Sequence, residues 1–208
     1  MENALRQGAD QPGLKLIETM AWTGAAFPRL DLHLARLTGA AARLHWPCDR
    51  ALVHQALHGA VGTDPARIRL TLDAMGRTEV QSAPMPPLKP VWTLTLAALR
   101  LTSTDPWLTV KSSRRPQYDQ TRATLPPGVD EAIFLNERGE VCDGTITTVF
   151  FDRGQGMRTP PLTCGLLPGV LRADLAAPEQ VLLAADLPHV RLWVGNSLRG
   201  LIPGQFTV

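Results

Sequence analysis

AIFLNERGEVCDGTITTVFF, residues 132–151, reads as a strand, a turn and a second strand. Apolar and β-branched residues fill both arms, and Glu137 to Gly139 supply the bend. Downstream, TPPLTCGLLPGVLRADL (159–175) is a Pro/Gly-rich loop leading into a helix that starts near Gly169. VRLWVGNSLRGLIPG (190–204) is a buried-looking strand stopped by a polar turn. This half of the chain predicts short strands and turns with a helix among them.

Upstream the texture differs. LKLIETMAW (14–22) predicts a strand, and from Arg29 to Leu44 the apolar Leu30, Leu34, Leu37, Ala41 and Leu44 fall at helical spacing. Asp31 sits in that helix's first turn, where an anion complements the dipole. A second helix is expected from Arg50 to Val61. RIRLTLDAMGRTEVQS (67–82) alternates Ile68, Leu70 and Leu72 before a Met75-Gly76 turn, a hairpin pattern. SAPMPPLKP (82–90), with four prolines, reads as a connector, and VWTLTLAALRL (91–101) as another strand. Strands and helices thus mix before residues 102–110, where a soft boundary divides an N-terminal α/β lobe (1–104) from a C-terminal β-barrel-like lobe with helices (105–208).

Composition narrows the class. Hydrophobic residues make up 44% and charged residues 19% of the 208, as in ordinary soluble proteins. A net charge of +2 without runs of like charge argues against nucleic acid or an anionic membrane as partner. No apolar stretch approaches the roughly 18 residues of a membrane span, and MENALRQGADQPG lacks the apolar core of a secretory leader. Cys48, Cys142 and Cys164 are far apart and odd in number, which speaks against a disulfide framework or a CxxC metal site and fits a reducing, cytoplasmic setting.

Several residues could carry chemistry. Lys111, in LTVKSSRRPQYD, follows an apolar strand-like run, where burial would lower its pKa and suit it to a Schiff base. Asp143 could hold a cationic heterocycle nitrogen. Arg36, three residues beyond His33 on one helix face, suits a phosphate. The glycine-containing segments Gly165–Arg172 and Gly195–Gly200 place backbone N–H groups at turns that can cradle an anion. Read singly, each has an ordinary use: a strand-end lysine, a turn aspartate, a solvated helix arginine, a tight turn. His54 and His58 have metal-ligand spacing but no acidic or cysteine partner nearby, so no metal is expected. Ser112 and Ser113 lack a GxSxG context.

Taken together in order, LIETM, FPRLDLHLARLTGAAARL, VKSSRRPQYDQTRA, DEAIFLNERGEVCDGTITTVFF, TPPLTCGLLPGVLR and VGNSLRGLIP resemble the class IV (fold-type IV) pyridoxal-phosphate enzymes, from about Leu16 to Pro203. That family includes branched-chain and D-amino-acid aminotransferases and aminodeoxychorismate lyases. The resemblance implies an α+β, two-lobed fold with the cofactor, pyridoxal 5′-phosphate, at the lobe interface, a small-molecule amino substrate, and a homodimer. It makes Lys111 the Schiff-base lysine and proton shuttle, and Arg36 the phosphate arginine. Val170 and Leu171 offer helix N-terminal N–H groups to the same phosphate, as do the Ser197 hydroxyl and the Leu198 N–H. Asp143 stands where the family has the glutamate that pairs with the pyridine nitrogen. Thr148 replaces an asparagine, Leu171 replaces a threonine, and the hairpin before LIETM is missing, so the chain reads as N-terminally shortened. These features look most like the lyase branch. Amino-acid transamination stays open, and so does a relative that binds cofactor or a metabolite without transaminating.

Overall fold

The computed structural model describes Leu5 and residues 8–207. The expectation about a leader segment therefore falls partly outside the described residues. The chain forms two compact units, one of residues 1–87 with 110–114, the other of residues 88–109 with 115–208.

In the first unit β1 (Lys15–Trp22), β2 (Ala66–Asp73) and β3 (Thr78–Pro84) make an antiparallel sheet in that order. Alternation sends Leu16, Glu18, Met20 and Trp22 to the buried face of β1, and Ile68, Leu70 and Leu72 to that of β2. The β2–β3 turn is closed by Gly76 (φ 77°) and by the Asp73 carboxylate, which accepts the Met75 and Arg77 N–H groups. Helix α1 (Leu30–Leu44) packs on β1 and buries His33, Leu34, Leu37, Ala41 and Leu44. Each of the three leucines contributes about 2 kcal/mol by leaving water. Helix α2 (Arg50–Gly59) opens at Asp49, whose carboxylate accepts the Ala51 and Leu52 N–H groups at 2.8 and 3.2 Å. Such a cap contributes about 1 kcal/mol.

The second unit is a closed barrel of β4 (Trp92–Leu101), β5 (Glu131–Asn136), β6 (Val141–Gly144), β7 (Thr148–Asp152), β8 (Arg191–Asn196) and β9 (Gly200–Phe206). β4 runs parallel to both β5 and β9, and the remaining pairs are antiparallel. Leu94, Ile133, Leu135, Val149, Phe151, Val194 and Ile202 fill its core. Outside the barrel wall lie α3 (Pro116–Ala123) and α4 (Val170–Leu175). Closure removes the exposed sheet edges that invite aggregation.

Five expectations change. β4, expected in the N-terminal lobe, belongs to the barrel, because its backbone pairs with β5 and β9; the units divide after Pro87, and residues 110–114 return to the first. The arm expected as one strand through Phe151 is two, β6 and β7, since a buried Glu131 carboxylate accepts the Thr145 and Ile146 N–H groups that a continuous ladder would use. The polar turn after β8 leads to a further strand, β9. Helix α3 follows Lys111, started by Pro116 in its first turn. The run before Lys111 is a 3-10 turn, Pro106–Thr109, where Pro106 sets φ and the Asp105 carboxylate accepts the Trp107 N–H at 2.9 Å.

Candidate active site

The candidate residues divide between the units. In the first, Lys111 is half-buried, and its carbonyl accepts the Ile17 N–H at 2.9 Å. The Ser113 N–H donates to the Lys15 carbonyl at 2.8 Å, so the lysine's segment runs along β1. The next residue of β1, Glu18, is 2% exposed, with its carboxylate among the side chains of α1. Arg36 donates Nε to Oε1 at 2.8 Å and Nη2 to Oε2 at 2.7 Å, and His33 Nδ1 lies 2.6 Å from Oε2. This fork uses two of the five guanidinium donors and fixes its plane. Burial works to raise the Glu18 pKa, but the Arg36 charge and hydrogen bonds, with His33, hold it at about 2. The result is an oriented cation whose head is held on β1, the same strand that pairs with the lysine's backbone.

In the second unit the ladder aligns Asp143 with Thr148 and Thr148 with Gly195. Two glycines let other backbone come close to this row. A Cβ on Gly169 would stand 2.5 Å from Thr148 Oγ1, and one on Gly195 would stand 2.5 Å from the Gly200 carbonyl oxygen and 2.7 Å from Leu171 Cδ2. The start of α4, with Val170 and Leu171, is thereby seated on the ends of β7 and β8. Gly169 offers no side-chain cap to its opening N–H groups. In the β8–β9 turn, which carries Ser197, the Asn196 side-chain oxygen accepts the N–H groups of Leu198 and Arg199 at 3.1 and 3.0 Å. The Leu198 N–H is therefore turned towards Asn196 rather than presented to an anion.

Asp143 is 5% exposed. Its Oδ2 accepts the Leu167 N–H at 3.2 Å and its Oδ1 the Tyr118 hydroxyl at 3.3 Å. Burial pushes its pKa up to about 7; Leu167, Tyr118 and Arg115 favour the charge, and Glu131 opposes it. Near neutrality such a carboxyl exchanges its proton readily, and a cationic ring nitrogen beside it would hold it ionised. Thr148, where the resemblance expects asparagine, is buried in the same row.

Three functional neighbours escaped the sequence reading. Glu18 occupies an inward position of the alternating β1, and an acid in that apolar row is a legible signal. Glu131 is fully buried and collects the Thr145 and Ile146 N–H groups and the Thr145 and Thr147 hydroxyls, bracing the loop after Asp143. Its position at the head of a continuously buried strand was the clue. Tyr118, the chain's one tyrosine, had no local signal, because its partner lies on another element.

His54 and His58 stack at 4.2 Å on α2, and His58 Nδ1 lies 3.0 Å from the His54 carbonyl oxygen. Among the described residues no group of three or more His, Cys, Asp or Glu is arranged to hold a metal, and no helix is long and apolar enough to cross a membrane.

A family model described as class IV amino-transferase matches residues 15–205. A putative aminodeoxychorismate lyase of Schizosaccharomyces pombe is 30% identical over 167 residues, covering 77% of this chain and 72% of that protein. The crystal structure of a putative amino-acid aminotransferase from Mesorhizobium loti superposes with a TM-score of 0.89 at 45% identity, over 93% of this chain and all of that one. The 4-amino-4-deoxychorismate lyase of Pseudomonas aeruginosa, 22% identical, has a TM-score of 0.79 over 92% of this chain and 82% of its own, a likeness of fold.

Proposed function

The chain belongs to the class IV aminotransferase family, whose members depend on pyridoxal 5′-phosphate, and on that premise we propose how its residues divide the work. Lys111 carries the cofactor covalently and moves a proton at the substrate's amino-bearing carbon. Arg36, oriented by Glu18, takes the phosphate with the N–H groups of Val170 and Leu171 and the Ser197 hydroxyl. Leu198 takes part by closing the turn that presents Ser197. Asp143 faces the ring nitrogen and keeps it protonated. The donor set suits such a group: a guanidinium pinned by a buried acid, a helix start with no side-chain cap, and a buried carboxylate poised near neutrality. Bound cofactor supplies an electron sink for bond breaking at the substrate carbon.

The observation that carries this reading is Asp143, buried with a hydrogen bond on each oxygen and a pKa of about 7. The test is borohydride reduction of cofactor-loaded protein followed by peptide mass spectrometry. The reading expects the added cofactor mass on the Lys111 peptide, and an unmodified Lys111 overturns it.

For the reaction we favour aminodeoxychorismate cleavage, supported by the fission-yeast relative. The 45% identity to a putative amino-acid aminotransferase favours transamination as the second reading. Release of pyruvate and 4-aminobenzoate without an amino acceptor marks the first; a requirement for a 2-oxo acid marks the second. We also propose a cytoplasmic homodimer. Cys48, Cys142 and Cys164 are all free thiols, which suits a reducing compartment. Light scattering at micromolar concentration tests the dimer.

A further inference from the structure

We propose that Tyr118 is a positioning residue for Asp143: its hydroxyl, working against the Leu167 N–H, fixes the carboxylate plane and favours its ionised form. This rests on the reading that Asp143 faces the cofactor ring nitrogen.

Both hydrogen bonds come from outside the strand that bears Asp143. Tyr118 reaches Oδ1 from α3 at 3.3 Å, and Leu167 reaches Oδ2 from the loop before α4 at 3.2 Å. With one donor on each oxygen the carboxylate cannot rotate about its Cβ–Cγ bond without breaking a bond. Its remaining lone pairs are thereby aimed in one direction. The tyrosine is itself held. Its ring meets the fully buried Phe134 of β5 edge-on at 4.8 Å, and the Arg115 guanidinium lies over it at 5.4 Å. Arg115 is anchored in turn by donating Nη2 to the Thr145 carbonyl at 2.6 Å. The hydroxyl is thus delivered by a packed aromatic stem rather than by a mobile side chain.

The groups facing Asp143 pull in opposite senses. Burial and the Glu131 carboxylate on β5 favour the proton; Leu167, Tyr118 and Arg115 favour its loss. On the neighbouring position of β6, Cys142 has its thiol pushed up by burial and by Asp143, so it stays neutral. Tyr118, pushed up by burial and by the Asp143 charge, stays a donor throughout. Among these groups the tyrosine hydroxyl is the one that a single-atom substitution removes while leaving backbone and formal charges intact.

The experiment is Tyr118→Phe in the full chain, with the Asp143 13Cγ resonance, assigned by its loss in Asp143→Asn, followed through a pH titration without cofactor. The expected result is a midpoint about one pH unit above that of the wild type, the size of one lost hydrogen bond to a charged acceptor. Cofactor binding by the same variant is then expected to weaken about fivefold at pH 7 and to recover by pH 9, following the ionised fraction of a midpoint raised by that amount. An unshifted 13Cγ midpoint overturns the proposal whatever the cofactor does. A shifted midpoint supports it, and if cofactor binding then fails to follow, the failure belongs to the reading of Asp143 as ring partner. Should the variant not fold, the wild-type Tyr118 13Cζ resonance decides: it must shift at the Asp143 midpoint, and a flat signal there overturns the coupling.

Discussion

Glu18→Gln removes a charge from the buried cluster on β1 while keeping its shape. The carboxylate is 2% exposed and forms a two-bonded fork with Arg36, with His33 Nδ1 at 2.6 Å. Its pKa of about 2, against an ordinary 4.5, corresponds to about 3 kcal/mol favouring the ionised form in the folded protein. The amide can accept one hydrogen bond from Arg36, but it leaves the guanidinium without its counter-ion, a change that costs about 3–5 kcal/mol in buried pairs. The expected loss is about 3 kcal/mol, read by urea unfolding through the buried Trp22 and Trp46 of the first unit. The pKa is depressed in the folded state, so the stabilisation is fully present above about pH 4.5 and fades as pH falls towards about 2. Wild type and Glu18→Gln should therefore converge in acid. The double variant Glu18→Leu, Arg36→Met removes both charges and is expected to recover most of the stability while losing cofactor affinity. A single-variant cost below about 0.5 kcal/mol, or a pH-independent gap between the two proteins, would refute the reasoning.

Asp143→Asn is expected to stabilise the cofactor-free protein at pH 8, by up to about 4 kcal/mol, while abolishing the pyridinium-dependent absorbance of the loaded enzyme. The raised pKa means that ionising Asp143 costs folding stability between about pH 4 and 7, and thermal unfolding across that range checks the sign. Gly195→Ala drives a methyl group to within 2.5 Å of the Gly200 carbonyl oxygen and 2.7 Å of Leu171 Cδ2, so the start of α4 must shift; cofactor affinity should fall at least about tenfold by equilibrium dialysis. Gly144→Ala drives a methyl group into Thr147 Oγ1 and to 2.8 Å from the Glu131 side chain, and should cost about 2 kcal/mol or more in urea unfolding. Arg36→Lys keeps the charge but loses the fork on Glu18, and should weaken cofactor phosphate binding more than it changes thermal stability.

How much could be read in advance follows from where each constraint lies. The alternation of Leu16, Met20 and Trp22, the helical spacing of Leu34, Leu37 and Leu44, and the turn at Gly76 are local requirements, written within a few residues. The break between β6 and β7 was not legible from residues 145–147, because its cause is a carboxylate at position 131. The run before Lys111 looked like a strand because its apolar residues do not record that Pro106 and Asp105 turn the backbone first.

The sequence by itself determined the first sheet and its two helices, the ordered blocks of the family and the choice of Lys111, Arg36 and Asp143 as the groups worth following. Periodicity, turn chemistry and motif order all act along the chain, so one strand of text carries them. Tertiary structure alone decided the partners: Glu18 for Arg36, Tyr118 and Leu167 for Asp143, and β4 as the strand that closes the barrel between β5 and β9. Charge, hydrogen bonding and strand pairing depend on distance in space, and the pairs that matter here stand 18, 25 and 24 residues apart for the side chains. Only the folded barrel and sheet bring such residues within hydrogen-bonding distance.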